Sequence, residues 1–175
     1  LADDVRRMGG QVLNGKTVTD VTKPDGFQIA CDDGTFVSAA KVILSAGLGA
    51  IVLGPKLGFK APIHAQRGQV LITEKLPPML NRPSLIARQV DEGGIQIGAT
   101  NEDVGLDDSV TQSGLSGLAA EAIAAYPALA KAQLVRSWGA LRVLSPDGLP
   151  IYQESVEMSG AYLVTCHSGI TLAAA

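Results

Sequence analysis

The chain is predicted to be α+β, with a mixed or antiparallel sheet under one covering helix, together with part of an α/β domain. Three observations predict this. Lys41-Val42-Ile43-Leu44 is a continuous apolar run of the kind that parallel sheets bury on both faces. Two runs that read as strands, Leu85-Ile86-Ala87-Arg88-Gln89 and Gly94-Ile95-Gln96-Ile97-Gly98-Ala99-Thr100, flank Asp91-Glu92-Gly93, as in an antiparallel hairpin. Leu115, Leu118, Ala119, Ala122, Ile123 and Tyr126 recur at helical spacing, which predicts an amphipathic helix over 111–125, ended by Pro127.

The remaining elements follow in order. Residues 1–8 read as the last turns of a helix stopped by Gly9-Gly10. Gln11-Val12-Leu13 and Thr17-Val18-Thr19-Asp20-Val21 alternate like half-buried strands, and Lys23-Pro24-Asp25-Gly26 turns the chain into Phe27-Gln28-Ile29-Ala30-Cys31. Asp32-Asp33-Gly34-Thr35 turns it again into Phe36-Val37. After the buried run, Ser45-Ala46-Gly47-Leu48-Gly49 supplies small residues that let a ligand or another backbone approach. Residues 55–62 form a connector, 66–73 a strand, 75–83 a proline-punctuated loop and 102–108 a polar loop. A short helical turn at 127–130 precedes a strand over 133–144. Tyr162-Leu163-Val164-Thr165 is the last strand, and Ser168-Gly169 opens a final helix. The helical pattern at the start and Thr171-Leu172-Ala173-Ala174-Ala175 at the end are expected of a piece cut from a longer protein.

Composition narrows the function classes. At 175 residues and 46% hydrophobic content the chain suits one sizeable core, or one domain plus part of another. Its 14 basic and 17 acidic residues give a net charge of −3 with no basic run, which argues against nucleic acid as a partner. No apolar stretch is long enough for a membrane span and the first residues are not a signal peptide, so a cytoplasmic protein is expected. Cys31 and Cys166 stand far apart outside any metal-ligand spacing, which predicts no disulfide framework and no metal site.

Two segments carry the chemistry. In Trp138-Gly139-Ala140-Leu141-Arg142-Val143-Leu144, Arg142 sits in an otherwise apolar run where an unpaired guanidinium is costly to bury. It therefore reaches water or meets an anion, which is either a substrate carboxylate or a carboxylate of the protein. In Thr165-Cys166-His167-Ser168-Gly169-Ile170-Thr171, His167 is either a ligand contact or a helix-start residue. Tyr152 and Trp138 are aromatic residues for the core or for a pocket wall, and His64 reads as structural.

Taken with Lys16-Thr17-Val18-Thr19-Asp20-Val21, Lys41-Val42-Ile43-Leu44-Ser45-Ala46-Gly47, Arg67-Gly68-Gln69-Val70 and Gly93-Gly94-Ile95-Gln96-Ile97-Gly98-Ala99-Thr100, these segments give the chain its likeness. It resembles the FAD-dependent D-amino-acid oxidase superfamily of glycine and sarcosine oxidases, with an ending similar to opine oxidase and hydrogen cyanide synthase subunits. The resemblance implies that Val18 meets the adenine through its backbone, that Ser45, Ala46 and Gly47 pass the FAD phosphates, and that Ser168, Gly169, Ile170 and Thr171 lie against the flavin ring. A helix N-terminus there would stabilise the negative charge of a reduced flavin. Arg142 corresponds to the arginine that binds the substrate carboxylate, with His167 as a second substrate contact, and Ala140 replaces the flavin-linked cysteine of some sarcosine oxidases.

The resemblance implies residues 1–60 and 144–175 as parts of an FAD-binding domain and 61–143 as a substrate domain. The G-x-G-x-x-G fingerprint is not among these residues, so this piece alone is expected to lack FAD and to be inactive. The whole protein is expected to oxidise the C–N bond of a small amino acid or N-substituted amino acid, passing a hydride to non-covalent FAD. Hetero-oligomeric partner subunits are implied by analogy. The rivals are a flavin dehydrogenase of a hydroxy acid or glycerol phosphate, and a catalytically silent scaffold subunit of the same fold.

Overall fold

The computed structural model describes residues 1–165, so Cys166 and the expected ligand contacts at His167, Ser168, Gly169, Ile170 and Thr171 lie outside the described residues. The described chain forms two compact units, one made of Leu1–Pro62 and Pro150–Thr165, the other of Ile63–Leu149.

The first unit begins with helix α1 (Ala2–Arg7), whose acidic first turn and basic last turn suit the helix dipole. Strands β1 (Val18–Thr22), β2 (Phe27–Cys31) and β3 (Phe36–Ala39) then form an antiparallel meander. Its turns use Gly26 and Gly34, both at positive φ, where a side chain would be strained. Phe27 is fully buried. The alternating run Gln11-Val12-Leu13 is not a strand; three residues with no partner strand leave their backbone groups unpaired, and Leu13 stays exposed.

Strand β4 (Val42–Leu44) is short and pairs in parallel with the last strand, β10 (Ala161–Thr165), which also pairs antiparallel with β9 (Ile151–Glu154). Burial on both faces is not found for β4: Leu44 is buried, but Ile43 is 66% exposed. The small residues Ser45, Ala46, Gly47 and Gly49 follow β4 directly. They wind into a 3-10 turn over Gly47–Gly49 that continues into helix α2 (Ala50–Leu53), and a second 3-10 turn at Pro55–Leu57 lies within the expected connector. β9 was not expected, because the polar residues of Ile151-Tyr152-Gln153-Glu154 hide an edge strand whose middle is exposed.

The second unit is a four-stranded antiparallel sheet in the order β6-β7-β5-β8, built from β5 (His64–Lys75), β6 (Ala87–Gln89), β7 (Gly94–Gly98) and β8 (Leu134–Leu144). The hairpin β6-β7 forms as expected, although β6 starts at Ala87. One helix, α3 (Gln112–Ala125), covers a face, capped by Thr111, whose side chain accepts from the Gly114 amide. A 3-10 turn at Pro127–Lys131 follows. The core under α3 joins Leu71, Ile95 and Ile97 from the strands to Leu118 and Ala122 from the helix. No helix among the described residues is long and apolar enough to cross a membrane.

Candidate functional site

Strand β5 organises the second unit because its side chains alternate between a helix-covered face and an open one. Leu71, Gln69 and Arg67 point to the covered face: Leu71 enters the core, and Gln69 meets the N-terminus of α3. Gln66, Gly68 and Val70 therefore lie on the other face. The antiparallel register sets them opposite Arg142, Ala140 and Trp138 of β8, which share that face.

Arg142 is half-buried, and its hydrogen bonds to described residues all run through one nitrogen. Its Nη1 donates to the Thr100 carbonyl at 3.0 Å, with longer contacts to the Arg67 carbonyl at 3.4 Å and Gln66 Oε1 at 3.5 Å. Among the described residues no carboxylate pairs with it, so the ion-pair alternative for this arginine finds no partner there. The guanidinium lies flat over Gly68: a Cβ at that glycine would sit 2.5 Å from Arg142 Nη2 and 2.7 Å from Cζ. Trp138 shares the face, its ring 5.2 Å from the Arg136 guanidinium.

The covered face carries a second arginine whose part the sequence did not reveal. Arg67 is 3% exposed and pairs with Glu102 at 2.7 Å and Asp107 at 2.6 Å, both from the loop 102–108 that reads only as polar. Gln69 Nε2 donates to Glu102 Oε1 at 2.7 Å and to Thr111 Oγ1 at 2.9 Å, while Thr100 Oγ1 accepts from the Gln69 amide at 2.8 Å. The Arg67 guanidinium, helped by donors from Thr100 and Gln69, holds the Glu102 carboxyl down at about 2. The signal in the sequence was the spacing of Arg67 and Gln69, two residues apart and so on one face of a strand. This network fixes the backbone at Arg67 and Thr100, whose carbonyls accept from Arg142.

In the first unit the structure brings three of the expected cofactor residues together. Val18, Ser45 and Ala46 line an apolar cavity of about 510 Å³ with Ile29, Val42 and Leu57 among its walls. Gly47 follows at φ +53° and starts the 3-10 turn, but does not line the cavity. Ser45 and Ala46 stand at the C-terminal end of β4, beside its parallel neighbour β10, the side of a parallel pair where nucleotide ligands are bound in open α/β sheets. At that end of β10 the hydroxyl of Thr165 is buried without a hydrogen-bond partner among the described residues.

A family model described as FAD dependent oxidoreductase, DAO, matches residues 1–175. The chain belongs to this family. Its likeness to known relatives is spread along the chain: it is 36% identical to an opine oxidase subunit of Agrobacterium tumefaciens over 170 residues, covering 97% of the chain and 46% of that protein. It is 34% identical to the hydrogen cyanide synthase subunit HcnC of Pseudomonas aeruginosa over 169 residues, covering 92% of the chain and 40% of that protein. The glycine oxidase structure from Geobacillus kaustophilus shares the fold with a TM-score of 0.82 at 23% identity, over 91% of this chain and 45% of that one. The chain thus spans less than half the length of these relatives.

The family implies FAD, and the residues present fit one flank of such a group. Small side chains at Ser45 and Ala46 leave the backbone open to a phosphate, and the apolar walls beside Val18 suit a flat ring.

Proposed function

We propose that the whole protein is an FAD-dependent oxidoreductase that oxidises the C–N bond of a small amino acid or N-substituted amino acid, with Arg142 binding the substrate carboxylate. The observation that carries this reading is the half-buried Arg142 on the open sheet face, which meets carbonyls and no carboxylate among the described residues. A guanidinium held by neutral acceptors keeps its full charge for an anion, and its planar fork matches a carboxylate in two parallel hydrogen bonds. Holding the carboxylate sets the orientation of the adjacent Cα–H and makes the reaction nearly unimolecular. Ala140, opposite Gly68 on β8, is small and exposed and leaves room on the sheet face beside the guanidinium.

FAD supplies the hydride acceptor when bound, and no protein acid or base is required for that transfer. Val18, Ser45, Ala46 and Gly47 would hold the dinucleotide along the first unit, and Ser168, Gly169, Ile170 and Thr171 would meet its ring. His167 is assigned to the substrate. The named relatives include subunits of opine oxidase and of hydrogen cyanide synthase, which supports a partner subunit for this protein too.

Steady-state kinetics on the full-length Arg142→Ala enzyme test the reading. Loss of a paired carboxylate contact should cost about 2–5 kcal/mol in kcat/KM for an amino-acid substrate. An unchanged kcat/KM overturns it. A screen of flavin reduction by amines against hydroxy acids and glycerol phosphate then separates C–N from C–O oxidation, and a full-length protein that takes up no flavin would mark a scaffold instead.

A further inference from the structure

We propose that Gly68 is a positioning residue for Arg142, and that it turns the Nε–Nη2 edge of the guanidinium toward the substrate carboxylate. This inference rests on the carboxylate role just assigned to Arg142. Three observations carry it. The three atoms nearest to a Cβ built on Gly68 are Nη2, Cζ and Nη1 of Arg142, all within 2.8 Å, so the arginine occupies the space a side chain would fill. Gly68 is buried and sits opposite Ala140, two residues from Arg142 on β8, so the long side chain folds back across the neighbouring strand. Finally, Nη1 is occupied by the Thr100 carbonyl at 3.0 Å, while Nε and Nη2 donate to no acceptor among the described residues.

An arginine offers a carboxylate either its two terminal nitrogens or the Nε–Nη2 edge. With Nη1 already turned to the Thr100 and Arg67 carbonyls and Gln66 Oε1, the end-on mode would compete with those acceptors, and the side-on mode would not. Any side chain at position 68 lifts the guanidinium off β5, separates Nη1 from the Thr100 carbonyl and changes the direction in which the free edge points. The carbonyl itself is held in place by neighbours: Thr100 Oγ1 bonds both the Gln69 amide and the Glu102 carboxylate. Gly68 thus acts through Arg142 and touches no reacting atom.

The test is a double-mutant cycle on the full-length holoenzyme with acetate as the probe, read by calorimetric titration. Gly68→Ala should weaken acetate binding roughly 10- to 100-fold, as small displacements of a binding group do, and should raise KM for an amino-acid substrate. In an Arg142→Ala background the same change should weaken acetate no further, because the group it displaces is gone. If Arg142→Ala loses acetate but Gly68→Ala binds it like the unaltered protein, or if the two effects add, the positioning role falls and the carboxylate role stands. If Arg142→Ala itself binds acetate normally, the carboxylate role falls and this inference with it. Should Gly68→Ala fail to fold, the Gly68→Ala/Arg142→Ala protein must fold, since the nearest obstruction is removed; failure of that double variant also overturns the proposal.

Discussion

Arg67 and Glu102 form an ion pair at 2.7 Å in which the arginine is 3% exposed, anchoring the loop 102–108 to the middle of β5. The loop backbone joins the same contact, since the Arg67 amide donates to the Glu102 carbonyl at 2.8 Å and the Glu102 amide returns the bond at 3.0 Å. Removing Arg67 takes the cationic partner from Glu102, whereas removing Glu102 leaves the buried Arg67 with Asp107 alone.

The pair makes stability depend on acid pH. The folded-state value for Glu102 is about 2 against an ordinary 4.5, so the unfolded chain binds the proton more readily. The stabilisation is fully present above pH 4.5 and is lost as the pH falls through about 2. Urea midpoints measured across that window should decline, and Glu102→Gln should flatten the decline while lowering the midpoint at neutral pH. An acid limb of the same steepness in the variant would contradict this.

Two glycines of α3 should respond in opposite directions to alanine. A Cβ at Gly114 would collide with the Gln69 side-chain amide, 2.8 Å from its Cδ, whereas one at Gly117 meets nothing within 4 Å. Gly117→Ala should therefore stabilise by about 0.5–1 kcal/mol through helix propensity. Gly114→Ala should cost about 1–3 kcal/mol, as overpacking does, because Gln69 must leave its bonds to Glu102 and Thr111. Denaturant midpoints of the two variants decide the matter, and equal shifts would refute it.

Leu71 has no exposed surface and lies between the sheet and α3. Leu71→Ala should destabilise the second unit by about 2–5 kcal/mol through lost burial and the cavity left behind. A loss below about 1 kcal/mol in equilibrium unfolding would show that the core closes over the gap.

Local periodicity made much of the second unit legible. The spacing of Leu115, Leu118 and Ala122 marked α3 to within one residue, because one face of a helix must be apolar to cover a sheet. Phe27-Gln28-Ile29-Ala30-Cys31 was a strand as expected, bounded by turn residues on both sides. Where the pattern was short or the strand lay at an edge, as at 11–13 and at β9, local preference did not decide the outcome. Pairing did, and whether a partner strand lies alongside is not written in the short segment itself.

The sequence by itself determined the α+β class, the covering helix and the hairpin of the second unit, since each follows from residue type and near-neighbour spacing. Only the tertiary structure decided which groups Arg142 meets. Thr100 and Gly68 lie 42 and 74 positions before it, and strand register, not sequence distance, sets them around its guanidinium. The same holds for Arg67: its charge was visible at once, but the carboxylates that make its burial tolerable come from a loop more than 30 residues away. Electrostatic pairing acts over a few ångströms of space, and the fold alone converts chain separation into such distances.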